Sequence, residues 1–594
     1  MTAEQKRDLK SAILAFISLW AIVWTINFSF RDPVSIILYF FLFFFFRFTA
    51  DVSPKEGRHP IRITAAIYTL FSVLKAQDRT MEYFESGVFL TLTFVVLICG
   101  WYILLLRLLE LLVKVLNSEK ARSFLRRREE GKGRIAAFRR HILLYSFLIL
   151  ILCWLPWFLY SYPGIFDPDP INQIEQFLGM KPWSNHHPVA HTLLMGACFN
   201  FGKLLGGDMN FCIACYTAFQ SIFLAFSCAL LIRTLDRVLK LRFAVSVIVL
   251  AFFALVPFMP VQALLVGKDT VFASVAILFC CLLAETVYAG AELGTVASVL
   301  RCVLLNLTAV LFCLFRTNGW YAYLFVSLCF IFCYRKKLLS ALLHVLPAVL
   351  IAGLIRGPVY DSFGIVKPDM AESLHVPTQQ IACVIARGHE ISEKDRELIE
   401  AVVEIDRIPE LYVNWFADNI KELIRAGHPE VIEENKGAYL GLWIRLGLRH
   451  PLDYLSAWTG LAGNIFYPEG DYDVASIEGV YPNDLGITQQ PLIHGSVLVQ
   501  LRASLIRIGN FLPLYGFLWS MGSYFWVLIL ALLLLILQRS GRERLLILMP
   551  ALGVILTLFL AIPSAKLFRY GFSYIVLTPL VLCVFCLPEK GERS

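Results

Sequence analysis

The feature that most constrains this chain is the recurrence of apolar runs about twenty residues long. Examples are SAILAFISLWAIVWTINFSF at 11–30 and HILLYSFLILILCWLPWFLY at 141–160. Each has the length needed to cross a hydrocarbon layer roughly 30 Å thick. In that layer every backbone N–H and C=O must be paired within the protein, so only helices and closed barrels cross it. A barrel would read as short alternating segments, and these runs are continuous. With 58% hydrophobic and 16% charged residues, the chain also lies far outside the usage of soluble domains. The expectation is an all-α polytopic membrane protein with about 14 transmembrane helices.

The expected spans lie near 9–30, 33–50, 61–77, 84–112, 141–160, 209–232, 242–260, 270–289, 299–316, 319–333, 338–355, 512–537, 545–562 and 571–587. The first resembles a signal peptide, but its apolar part is too long and no small-residue cleavage site follows, so it reads as retained. Lys and Arg resist translocation, which puts NSEKARSFLRRREEGKGRIAAFRRH (117–141), YRKK, RSGRER and EKGERS on the cytoplasmic side. Both termini are then cytoplasmic and the chain is a multi-pass protein of the cell membrane. The net charge of +8 sets topology and is no nucleic-acid signature. VAHTLLMGACFNFGKLLGG (189–207) would invert every later loop if it crossed, so it reads as an interfacial helix.

Five regions follow: a four-span extension (1–116), a basic cytoplasmic linker (117–140), a membrane core (141–356), an extracytoplasmic domain (357–500) and C-terminal spans with a short tail (501–594). In 357–500 charged residues, Pro and Gly return to globular proportions. There SEKDRELIEAVVEIDRI carries Ser392 and Asp395 in capping-box spacing before a helical pattern, so the domain reads as mainly helical. Of 15 Cys all but Cys383 sit in or beside apolar segments, which leaves no disulfide framework.

Polar side chains concentrate in one outer loop, 161–208: Asp167, Asp169, Gln173, Glu175, Lys181, Trp183, His186, His187 and His191. Asp169 before Pro170 suits a helix N-cap; a carboxylate at a membrane face equally suits proton abstraction from an attacking hydroxyl. Asp167 completes a DPDP step that fits a turn, an acid–base division of labour or a shared metal. His187 and His191 have the i, i+4 spacing of a helical zinc pair, though no third ligand is evident; substrate hydrogen bonding and ordinary interfacial His are the alternatives. Lys268 and Asp269, Arg316 and Asn318, and Lys566, Arg569 and Tyr570 occupy three other outer turns. Singly they read as snorkelling or headgroup anchors; together they make a cation cluster suited to a phosphate.

The order Asp169 to Gln173, Gly179, Trp183 and His186-His187-Pro188, with RYGFSYIVLTPL near the end, resembles the GT-C class of integral-membrane glycosyltransferases. That class includes the aminoarabinose transferases and protein mannosyltransferases. The layout is most similar to a bacterial group of large polytopic membrane proteins, through Pro163 to Thr192, Lys268-Asp269, Arg316 to Gly319 and Ser373 to Ala386. The resemblance covers about residues 141–587. It implies a GT-C-like fold with interfacial helices in the first catalytic external loop. It also implies inverting transfer of a sugar from a polyprenyl-phosphate donor to a cell-envelope glycan, lipid or protein. Asp169 or Asp167 would be the base. Gln173, His186, His187, His191, Lys268, Asp269, Arg316, Asn318, Arg569 and Tyr570 would bind donor or substrate. Where the class carries Lys-Pro-Pro this chain has His-His-Pro, so Lys268, Arg316 or Arg569 would have to meet the phosphate. The acids fit a divalent metal or none; no other cofactor is implied. Two rivals stand beside this reading. A transporter or flippase would want mid-span charges or broken helices in both halves. A non-catalytic envelope receptor or assembly protein would leave the Asp loop as capping and turn chemistry.

Overall fold

The computed structural model describes residues 1–594 except 53–56, 85–86, 119, 122, 124–132, 469–478, 513, 539–540, 562, 564–565 and 585–594. Much of the basic linker and the whole EKGERS tail lie outside the described residues. Each of the fourteen expected apolar segments coincides with a helix. Among the described residues seven helices are long and apolar enough to cross a membrane, or eight if one bent pair counts as a single span. The bent pair is the expected 242–260 span. It is Phe243–Leu255 followed by Phe258–Leu264 at 58°, because Pro257 cannot continue the first helix. Five more apolar helices have only 10–17 residues. The expected 512–537 span is α-helical from Met521 to Leu537, with a short 3-10 turn, Tyr515–Trp519, before it; Gly509, Pro513 and Gly516 interrupt the sequence there.

The chain divides into two compact units. One comprises Met1–Ser123, Leu374–Tyr467 and Phe525–Arg539. Its first helix, Ala3–Thr25, opens with a capping box between Thr2 and Gln5. That helix runs so close to Val88–Leu116 that a Cβ on Gly100 would meet Ile17 O at 2.5 Å, the close approach small residues permit in membranes. Ser18 Oγ donates to Gly100 O across the same contact (3.2 Å). In Leu374–Tyr467 the helix His375–Ala386 packs on Pro451–Phe466, with Val376, Ala417 and Leu461 buried together. Ser392 caps Glu393–Glu400 as its spacing predicts. Contacts thus group 374–467 with the N-terminal helices and Phe525–Arg539.

The other unit comprises Phe124–Ser373, Pro468–Tyr524 and Ser540–Ser594. Its centre is the helix Lys268–Ala289, almost wholly buried, against Met209–Arg237, Val296–Phe315 and Phe568–Val584. A buried Arg139–Asp236 pair (2.6 Å) ties the short helix Arg134–Arg140 to the far end of Met209–Arg237. The segment 189–207 is a helix, Val189–Leu204, outside the apolar candidate spans.

Candidate functional site

Two very short strands decide where the acids go. β1 (Ile165–Phe166) and β2 (Leu265–Val266) pair in parallel, Ile165 with Leu265 and Phe166 with Val266. Parallel partners leave a sheet in the same direction, so Asp167 emerges beside Gly267 and the Lys268-Asp269 step. On β1's other side Phe166 N–H donates to Gly479 O (2.8 Å) and Phe166 O accepts from Tyr481 N–H (3.1 Å). Gly164 makes the approach to β1 at φ +154°, where a Cβ would lie 2.7 Å from Thr217 Oγ1 and 2.9 Å from Val266 Cγ2. A side chain fits neither that conformation nor that space.

The acids then open the helix Pro168–Phe177. Asp169 is not its N-cap, as Asp169-Pro170 suggested. Pro168 takes the first helical position, Asp167 is the cap residue, and Asp169 lies in the first turn. Neither carboxylate is spent on capping. Arg569 Nη1 lies 3.1 Å from Asp167 Oδ2 and its Nη2 3.3 Å from Asp169 Oδ2, while Nε is 3.9 Å from Asp269 Oδ2. Arg316 Nη1 closes on Asp269 Oδ1 at 2.6 Å. The planar guanidinium fork lets Arg569 face carboxylates from two chain segments at once.

Lys268 is held differently. Its Nζ is 3.8 Å from Asp169 Oδ2, beyond hydrogen-bond range, and 3.1 Å from His187 Nδ1. That contact makes Nδ1 an acceptor, so a neutral His187 carries its proton on Nε2. Burial first, then the Lys268 ammonium, pushes the His187 imidazolium well down, so the ring is neutral at pH 7. Burial alone would push the Asp169 carboxyl up, but Lys268 and then Arg569 outweigh it and hold Asp169 below the ordinary carboxylate range. The exposures separate the acids: the Asp167 and Asp269 side chains are 7% and 6% exposed, the Asp169 side chain 33%. Asp169 is the carboxylate an incoming molecule can reach.

The remaining sequence candidates sort by environment. Gln173 and His191 are buried and spent on one network. Gln173 Oε1 lies 2.9 Å from His191 Nδ1, its Nε2 donates to Thr192 Oγ1 (2.8 Å), and His191 Nε2 meets the Tyr216 hydroxyl. This network locks Pro168–Phe177 onto Val189–Leu204. It also takes both His191 nitrogens, so His187 and His191 do not converge as a zinc pair. His186 is exposed, its ring edge-on to His187 with centroids 4.6 Å apart. Tyr570 lies under Arg316 (4.9 Å to the ring centre) and near Arg569 (5.5 Å), an arrangement that favours cations over its face. Asn318 is buried, and among the described residues neither amide atom has a hydrogen-bond partner. Tyr216, which completes the His191 network, sits mid-helix in Met209–Arg237 and had no signal in the sequence.

The arrangement joins three carboxylates and three cations from four chain segments, with one carboxylate open and one ammonium loosely held. No curated protein and no solved structure matches the chain. One family profile does, over residues 180–594, a range that holds every candidate from His186 to Tyr570 and begins after Asp167, Asp169 and Gln173. That match takes in well over half of the chain, which therefore belongs to the family of unknown function DUF6020.

Proposed function

We propose that this protein is an inverting glycosyltransferase with a GT-C-like arrangement of about 14 spans. In this reading it moves a sugar from a polyprenyl-phosphate donor to a cell-envelope acceptor at the outer face of the membrane. The supporting observation is the convergence of Asp169, Lys268 and Arg569 beside buried Asp167, Asp269 and Arg316. Glycosyl transfer from a phosphate needs a base for the acceptor hydroxyl and cations for the leaving group. An apolar polyprenyl chain also explains why such chemistry would sit among membrane helices.

The acceptor oxygen attacks the anomeric carbon, the bond from that carbon to phosphate oxygen breaks, and Asp169 takes the hydroxyl proton. Polyprenyl monophosphate leaves with one more negative charge, which Lys268 and Arg569 offset. Asp169 is a weak base while both cations face it. A donor phosphate competing for Lys268, the looser of the two, would restore its basicity as the reactants come together. His187 would steer the Lys268 ammonium, and the unspent Asn318 amide would take a polar group of the substrate.

The test is discharge of a panel of polyprenyl-phosphate sugars by protein reconstituted in lipid, with envelope extract as acceptor. Asp169→Asn should lower turnover by about 10²–10⁴-fold while leaving the protein folded. Discharge that survives in Asp169→Asn and is lost in Asp167→Asn would move the base two residues back. No discharge by wild type across the panel would sink the reading. The bent pair Phe243–Leu255 and Phe258–Leu264 favours a second reading, lipid translocation, because broken helices line transport sites. Dithionite quenching of a fluorescent polyprenyl phosphate in vesicles separates the two.

A further inference from the structure

The unit built from Met1–Ser123, Leu374–Tyr467 and Phe525–Arg539 holds a second polar cluster, which owes nothing to the transferase reading. The helix His375–Ala386 ends at Gly388, whose φ of +73° turns the chain back so that His389 N–H meets Val384 O at 3.3 Å. This sets His389 just past the helix end, where its ring meets Asp453 and His450. Sixty residues later His450 precedes the helix Pro451–Phe466, and Asp453 lies in that helix's first turn. Asp453 is buried. Its Oδ2 lies 3.0 Å from His389 Nε2 and 3.8 Å from His450 Nδ1, and one ligand atom from each of the three residues falls within 4.8 Å of the others. The two imidazole rings lie side by side, centroids 4.4 Å apart.

We propose that His389, His450 and Asp453 bind one divalent transition-metal ion, with zinc the best fit. Metal–ligand bonds of about 2.0–2.1 Å in a tetrahedron set donor atoms about 3.3 Å apart. The distances of 3.0 and 3.8 Å bracket that value, so shifts of a few tenths of an ångström complete the two Asp453 edges. Two imidazoles and one carboxylate are the donor set of open zinc sites, which keep a fourth position for water or a further ligand.

The surroundings do what outer-shell groups do at such sites. Arg387 Nη1 holds the other Asp453 oxygen, Oδ1, at 2.6 Å, which fixes the carboxylate and leaves Oδ2 facing the rings. Arg387 Nη2 reaches Ser456 Oγ (2.8 Å) and Asp78 Oδ1 (3.4 Å), and Ser456 bonds Asp78. Ligation requires neutral imidazoles, and the Asp453 oxygen they face is the anionic donor a dication would meet. The plain alternative is a His389–Asp453 ion pair. That alternative accounts for His389 alone and leaves unexplained why the part-buried His450 turns its Nδ1 toward the same Asp453 oxygen.

The test is zinc titration of the full chain in lipid nanodiscs after chelator treatment, read by metal analysis and by the absorption of substituted Co²⁺. His389 is 40% exposed, so His389→Ala should fold. Expected are one zinc per chain, four-coordinate Co²⁺ bands, and an affinity loss of at least about 100-fold in His389→Ala and in His450→Gln, since even outer-shell changes cost 10–100-fold. His389→Cys, which keeps a zinc donor, should recover much of that affinity. A metal-free melting temperature close to wild type in His389→Ala attributes its loss to ligation. Equal zinc uptake by wild type and both loss variants, or no uptake by wild type at micromolar zinc, overturns the proposal.

Discussion

Two clusters of carboxylate and arginine sit at helix starts in this protein, one in each compact unit, and they differ in what stands beside the acids. Asp167, Asp169 and Asp269 are paired with full cations: Arg316 and Arg569 within bonding range, and Lys268 a little farther out. Around Asp453 one arginine takes one oxygen and two imidazoles face the other. The first cluster is balanced in charge and holds a loosely bound ammonium, so its natural guest is an anion that competes for that ammonium. The second turns one carboxylate oxygen and two imidazole nitrogens toward a common point, so its natural guest is a cation. The same residue types at the same kind of backbone position thus select opposite ligands, and the choice rests on whether the partners carry fixed charge.

The hardest way to break the contrast is to remove Arg569. Arg569→Ala leaves three carboxylates facing one another, two of them buried. It should cost about 3–5 kcal/mol of stability and abolish donor discharge, measured by thermal unfolding and turnover. Arg569→Lys should recover little, because an ammonium lacks the fork that spans two carboxylates. Next is Asp167→Asn against Asp169→Asn. The buried Asp167 should lose more stability, about 1–3 kcal/mol, and the more exposed Asp169 more turnover. Comparable losses of both quantities in the two variants would erase the distinction drawn from their exposures.

Acidity sharpens the comparison further. Unfolded, each imidazole protonates near pH 6.5. Folded, burial and then Lys268 hold His191 near about 3 and push His187 down likewise. Below about pH 6.5 the unfolded chain therefore binds the extra protons, and stability falls with pH by up to about 1.4 kcal/mol per unit for each imidazole. Asp169, held low, adds to the fall below about pH 4. Chemical denaturation followed from pH 7.5 to 5 should show this slope, and His187→Gln should flatten it. The smallest effect belongs to His389→Ala without metal, a change within about 1 kcal/mol, as for a part-exposed side chain that gives up one ion-pair contact. Its deficit should open only when zinc is added.

Hydropathy alone located the apolar segments, because each is long enough for the solvent to dictate helix. What it did not show was continuity: the 242–260 segment is bent by 58° at Pro257. The members of the ionic cluster were also legible as outer-turn polar residues. Their meeting was not, since it depends on a pairing of two residues against two, too short for any periodic pattern. The DPDP step shows a subtler limit: Pro168 and Pro170 both suit a first helical position, and only packing chooses Pro168 and makes Asp167 the cap. His389, His450 and Asp453 escaped notice because each has a sufficient local reading. A helix end after Gly388 and a His-Pro-x-Asp helix start look ordinary until the fold brings them together.

The parallel pairing of β1 with β2 carries a consequence for change over generations. Successive residues of a strand point to opposite sides, so inserting or deleting one residue between Gly164 and Asp167 would turn the following side chains over. The helix Pro168–Phe177 would then start out of step with Gly267, and Asp167 and Asp169 would lose their places beside Lys268 and Asp269. The apolar helices on either side can drift in length by several residues and still cross. This short tether cannot, and lineages that retain the chemistry should vary in the composition of the stretch from Gly164 to Asp169 long before they vary in its length.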